Sequence, residues 1–147
     1  MNKRDSNKLS ENSQKDKVEN GITEYNEYII NLSHNPKNWG EPPKEEISVS
    51  QSYTGPCGDT IQFFFKINGK IIEKANFISD GCIACIATAS QTTLLIESHS
   101  LDYAKTLKPE DIDEGLKGLP EDHKHCTELA VRTLQRAINK YESQRDN

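Results

Sequence analysis

Three of the four cysteines in this sequence stand beside glycine, aspartate or histidine, where the backbone can approach a bound ion closely. Cys57 lies in Gly-Pro-Cys-Gly-Asp at residues 55–59, Cys82 follows Asp-Gly, and Cys126 follows His125. Thiolate sulfur binds soft and borderline metals, and it is also the nucleophile of sulfur chemistry. The long intervals between these cysteines do not match zinc fingers or ribbons, which use two close pairs. The pattern therefore indicates a metal or sulfur site built from three distant segments.

The predicted elements place two of these thiols at helix starts. Cys82 falls at a strand-to-helix turn, and Cys126 lies at or near the start of the C-terminal helix. Backbone N–H groups and the positive end of a helix dipole lower the pKa of a thiol and favour the thiolate. Asp59, two residues from Cys57, adds an oxygen ligand that is easier to displace than a fourth Cys or His. We therefore expect a site that releases what it holds.

Each of these residues also has a plainer interpretation. The three cysteines could be buried as small hydrophobic side chains, Asp59 could stabilise its turn, and His125 could cap a helix. His123 belongs to no motif and is interpreted as a surface residue. Cys85 completes a CxxC sequence with Cys82 across one helical turn, which leaves packing, a spare ligand or a redox partner as its role. A thiol oxidoreductase of the thioredoxin type is disfavoured, because such folds need a parallel βαβ unit and the preceding hairpin is antiparallel.

Composition excludes several classes of partner. The 147 residues are about one domain, and 18 Lys and Arg against 23 Asp and Glu give a net charge of −5. The basic residues form no cluster with aromatics, which argues against nucleic acid as a partner. The longest apolar stretch, residues 83–89, is too short to span a membrane, and no secretory signal is evident. We expect a cytoplasmic protein with reduced thiols and no membrane association.

The chain divides into a polar tail and one domain. Residues 1–20 carry too few apolar side chains to offset the entropy of ordering, so we predict a disordered tail followed by a domain over 21–147. A helical stripe, Tyr25, Tyr28, Ile29 and Leu32, should end near Asn35-Pro36, because proline and its preceding residue disfavour helix.

The middle of the chain reads as three strands. We predict strands over 47–53, 60–67 and 70–78, the last two joined by Asn68-Gly69 in a type I′ turn. The Phe63-Phe64-Phe65 run is interpreted as core with one exposed ring. Because the strands are joined locally, the sheet should be antiparallel.

Helices follow the strands. We predict helices over 82–97, from a Ser100 cap to 105, from Pro109 to near Gly115, and over 125–141. Strands followed by helices make an α+β domain, with the helices packed on one face of a three-stranded antiparallel sheet.

Taken together, the motifs resemble a known family. Residues 55–59, Gly81-Cys82 with its small-residue helix, and His125-Cys126-Thr-Glu-Leu-Ala are similar to the IscU-type iron–sulfur cluster assembly scaffold, also called the NifU N-terminal domain. Residues 35–38, Asn-Pro-Lys-Asn, resemble the Asn-Pro-x-Asn segment of that family. The resemblance covers roughly residues 22–141, and it differs from well-known members at 119–123, where they carry the Hsp70-binding Leu-Pro-Pro-Val-Lys.

The resemblance implies a SufE/NifU-like fold and a non-enzymatic scaffold. On it a cysteine desulfurase delivers persulfide sulfur, a two-iron two-sulfur cluster forms with iron, and the cluster passes to apo-proteins. The implied ligands are Cys57, Asp59, Cys82 and Cys126, with His125 as a nearby alternative and Cys126 as the persulfide acceptor. Zinc is a candidate occupant of the cluster-free form. Whether the cluster lies within one chain or bridges a homodimer stays open.

A second function remains open within the same family. Some members are zinc-binding persulfide acceptors that relay sulfur without building a cluster, and they tend to have Arg where this chain has His125. Metal content and persulfide trapping at Cys126 separate the two functions.

Overall fold

The sheet of this protein has three antiparallel strands in the order β1-β2-β3. A computed structural model describes residues 25–146, so the predicted disordered tail lies outside the described residues. The strands are β1 (Val49–Thr54), β2 (Thr60–Asn68) and β3 (Ile71–Ser79). With the helices that follow, they confirm the predicted α+β class.

Five α-helices and two short 3₁₀ turns complete the described chain. The helices are α1 (Glu27–His34), α2 (Ile83–Ile96), α3 (Leu101–Thr106), α4 (Pro109–Gly115) and α5 (His125–Asp146). The 3₁₀ turns are Lys44–Glu46 and Glu121–His123. Helix α5 runs five residues past the predicted end at Tyr141, where Glu142 pairs with Lys105 at 2.7 Å and Arg145 donates to the Gly69 carbonyl at 3.2 Å.

The β2–β3 hairpin is confirmed, but its turn lies one residue later than predicted. Asn68 pairs with Ile71, so the loop is Gly69-Lys70, and Gly69 has φ +66°. A register shift after Lys66 leaves Glu73 as an extra residue in β3. A positive φ at the first loop position alone suits a type II′ turn, in which glycine takes that position, and not the predicted type I′.

The core lies between one face of the sheet and helices α2 and α5. Phe63 and Phe65 on β2 and Phe77 on β3 are fully buried in it. The predicted exposed ring is wrong, because Phe64 is only 2 % exposed. Phe64 lies on the opposite face of the central strand, where Lys66 bonds to the 3₁₀ turn residue Glu46 at 3.1 Å.

Polar caps fix the helix ends. The Asn26 side chain accepts from the Ile29 N–H at 2.9 Å at the start of α1, and its amide donates to the Leu116 carbonyl at 2.9 Å. Ser100 caps α3 as predicted, accepting from the Tyr103 N–H at 3.0 Å. Asn26 thus joins α1 to the end of α4.

The outer edge of β3 is closed by loop backbone. The Phe77 N–H donates to the Asn38 carbonyl at 3.0 Å, and the Gly40 N–H donates to the Phe77 carbonyl at 2.8 Å. Further along the edge, Ile72 exchanges two backbone bonds with residues 98–99, and the Glu97 carboxylate accepts from the Ala75 N–H at 3.1 Å.

Candidate metal and sulfur site

The loop between β1 and β2 directs two candidate ligands to different places. The Gly55 N–H donates to the Asp59 carbonyl at 2.9 Å, and Gly58 closes the turn with φ +92°, a conformation that favours glycine. Cys57 is exposed at the tip of this turn. Asp59 follows the turn, and its carboxylate reaches the start of α2.

Helix α2 supplies two thiols one turn apart. Cys82 is the exposed N-cap residue, and Cys85 is fully buried in the first turn. Gly81 lies directly against Cys85: a Cβ on Gly81 would be 2.7 Å from the Cys85 Cβ and 3.1 Å from both the Cys85 Sγ and the Asp59 Cγ. Only glycine fits at position 81 without displacing Cys85 or Asp59.

The thiols converge with the carboxylate at the junction of the 55–59 loop, α2 and α5. The Cys85 Sγ donates to an Asp59 carboxylate oxygen at 3.2 Å and lies 3.5 Å from the Cys126 Sγ. The donor atoms of Asp59, Cys82 and Cys85 all lie within 4.8 Å of one another. Those of Cys82, His123 and Cys126 do the same, so Cys82 belongs to both groups.

Hydrogen bonding shifts the pKa values of the three thiols in different directions. Bonds from Cys126 and then Cys85 hold the pKa of Cys82 far below its ordinary value. Donation to Cys126 and Cys82, together with burial, raises the pKa of Cys85. Donation to Cys82 and burial raise the pKa of Cys126 to about 12. The thiolate form is therefore favoured at Cys82 and disfavoured at Cys85 and Cys126.

Two histidines approach the pocket from the segment before α5. The exposed His125 has its Nε2 3.9 Å from the Cys126 Sγ. His123 is half-buried between the rings of Tyr25 and His125, with centroids at 5.3 and 6.4 Å. The sequence singled out His125 and set His123 aside as a surface residue, whereas the structure groups His123 with two thiols. The approach of His123 depends on how the segment before α5 packs, and its spacing from Cys126 along the chain does not reveal it.

The structure thus brings together three of the four predicted ligands. Asp59 and Cys126 each lie close to both Cys82 and Cys85, and Cys57 belongs to neither group within the described residues. Cys57 instead faces a groove of about 520 Å³ that it shares with His125, Glu128 and other residues of α5. Soft thiolates with one carboxylate fit zinc, ferrous iron or an iron–sulfur cluster.

The sequence analysis predicted that the apolar stretches of this chain are too short to span a membrane. Within residues 25–146, no helix combines the length and the apolar character needed to cross a bilayer.

Comparison with known proteins shows similarity along most of the chain. Residues 24–147 match the family model of the NifU-like N-terminal domain. The chain is 37% identical over 120 residues to the iron–sulfur cluster assembly scaffold protein IscU of Aquifex aeolicus, covering 80% of this chain and 76% of that protein. It is 36% identical over 125 residues to IscU of Escherichia coli K12, covering 83% and 97%.

Solved structures show the same fold. The N-terminal region of a nitrogen-fixing NifU-like protein from Brucella abortus superimposes with a TM-score of 0.67 at 14% identity, covering 82% of this chain and 95% of that one. A SUF-system protein from Fervidobacterium islandicum, described as a putative iron–sulfur cluster assembly scaffold, gives a TM-score of 0.61 at 19% identity, covering 78% and 96%.

Proposed function

This chain belongs to the NifU-like N-terminal domain family, and on that premise we propose that it is a scaffold for iron–sulfur clusters. A two-iron two-sulfur cluster is assembled on it from iron and sulfur and then passes to apo-proteins. The observation that carries the proposal is the convergence of three distant segments on Cys82, because the donor atoms of Asp59 and of Cys126 each lie within 4.8 Å of its sulfur. The role is one of holding and handing over rather than of catalytic turnover.

The proposed ligand set is Cys57, Asp59, Cys82 and Cys126. Each iron of such a cluster is held by two bridging sulfides and two protein ligands, so four protein donors complete it. Cys57 is exposed on a turn whose glycines allow the backbone to move, and it reaches the cluster by folding inward over the pocket. His125, whose ring lies beside Cys126, is the alternative donor.

Sulfur enters from a cysteine desulfurase as a persulfide. An acceptor thiolate attacks the outer sulfur of the donor's Cys–S–SH, the donor's S–S bond breaks, and the donor leaves as a thiolate. Sulfide formation then needs two electrons per sulfur from an external reductant. Cys126, the expected acceptor, is fully buried, whereas Cys57 and Cys82 are exposed. Transfer to Cys126 therefore requires the adjoining segment 121–125 to open.

Anaerobic reconstitution tests the proposal. Incubation with ferrous iron, cysteine, a desulfurase and a thiol reductant should give visible charge-transfer absorption with two irons and two sulfides per cluster. Cys57→Ser should lose it, while Ser52→Ala, an exposed change on the adjoining strand, should keep it. A colourless, iron-free parent protein would refute the proposal, and tightly held zinc that iron never displaces would favour the sulfur relay.

A further inference from the structure

Cys85 lies at the centre of the pocket, and the proposed cluster ligands do not include it. Its Sγ is 3.2 Å from the Asp59 carboxylate and 3.5 Å from the Cys126 Sγ, and it lies within 4.8 Å of the Cys82 Sγ. A sulfur buried only for packing is surrounded by carbon. The polar neighbours of Cys85 are three atoms that can each bind a metal.

These separations are close to the edges of a tetrahedral metal site. With Zn–S bonds of about 2.3 Å and Zn–O bonds of about 2.0–2.2 Å, sulfurs lie about 3.8 Å apart and sulfur and oxygen about 3.5 Å apart. The observed 3.5 Å from Cys85 to Cys126 and 3.2 Å from Cys85 to Asp59 differ from these values by about 0.3 Å. Slight expansion of the pocket would admit one ion.

We propose that Asp59, Cys82, Cys85 and Cys126 bind a single zinc or ferrous ion without Cys57. The site is preformed, because Gly81 holds Cys85 and Asp59 in contact and leaves no room for a Cβ. Cys57 then remains a free, exposed thiol while the ion is bound. The inference adds a site for a single ion to the proposed scaffold function. It depends on that function only for the role of Cys57 as a cluster ligand.

Anaerobic titration with Co²⁺ as the probe tests the ligand set. The parent should show thiolate-to-cobalt charge-transfer absorption from three sulfurs. Cys85→Ala should reduce that band by about a third and weaken binding by at least about tenfold, since even the loss of a residue outside the ligand set costs that much. Thr88→Val, a buried change one turn further along α2 that removes an unbonded hydroxyl, is the packing control and should alter neither.

Cys57→Ala gives the opposite arm of the experiment. This variant also loses one thiol, but an exposed one that belongs to neither group of donor atoms. It should therefore bind Co²⁺ as the parent does while failing to hold a two-iron cluster. A band of unchanged intensity in Cys85→Ala, with or without a loss of affinity, would overturn the inference, as would a weakened band in Cys57→Ala.

A second measurement uses the unmodified protein, in case Cys85→Ala fails to fold. With zinc bound, a thiol-alkylating reagent followed by peptide mass spectrometry should label Cys57 and leave Cys82, Cys85 and Cys126 protected. Protection of Cys57 together with labelling of Cys85 would refute the site. Loss of cobalt binding in Cys85→Ala with no cluster in the parent would instead reject the scaffold function alone.

Discussion

Gly81→Ala should damage the pocket more than it damages the fold. The added Cβ would lie 2.7 Å from the Cys85 Cβ, whereas carbons pack at about 3.5–4.0 Å, so the two segments must separate by about 1 Å. Overpacking of this kind costs about 1–3 kcal/mol, or a fall in Tm of about 2–12 °C for a chain of this size. Functional sites tolerate displacements of about 0.5 Å, so we also expect Co²⁺ affinity to fall by more than tenfold.

Gly115→Ala is the matched control for this prediction. Its Cβ would come within 2.6 Å of the Gln91 Nε2, an equally close clash located at the end of α4. Urea denaturation of the metal-free proteins measures stability, and cobalt titration against a competing chelator measures affinity. We expect affinity to fall only in Gly81→Ala. Equal affinity in both variants would show that the close packing at Gly81 does not set the pocket's geometry.

Three further predictions concern thiol access, pH and the fold. In the metal-free protein, iodoacetamide should modify Cys57 and Cys82 well before the two buried cysteines, and a uniform rate by mass spectrometry would contradict their burial. Metal binding must displace the protons of those buried thiols, and the pKa of Cys126 is raised to about 12, so Co²⁺ affinity should rise with pH between 6 and 8. The rise should approach about a hundredfold per pH unit for two protons released, and a flat profile would contradict it. Asn26→Ala should lower the free energy of unfolding by about 1–2 kcal/mol in urea denaturation, because α1 loses its cap and its bond to Leu116, with no change in cobalt affinity.

The sequence predicted the elements well because their signals are local. Alternation and turn residues indicated the three strands, and Ser100 and Pro109 marked helix starts. The hairpin turn was misplaced by one residue because the extra residue in β3, Glu73, shifts the register, and nothing near Asn68-Gly69 reveals it. The length of α5 depended on contacts made by its polar last turns.

The site was predictable only in part. The positions of Cys82 and Cys126 followed from helix starts, which are local features. The central position of Cys85 and the approach of His123 depend on how α2 meets the segment before α5, and spacing along the chain does not specify that. For Cys57 the local signal was strong and the structure differs. Its motif predicted a metal ligand, yet the turn that carries it leaves it exposed.

The closed edge of β3 has a consequence for how the chain is made. Residues 38–40, which bond to Phe77, precede β3 in the sequence, and residues 97–99, which cover the rest of the edge, come after it. During synthesis from the N-terminus, β3 therefore emerges when one partner for its outer edge is already available. The second partner arrives once α2 has been made. The interval in which this edge can pair with another nascent chain is limited to the time needed to synthesise one helix.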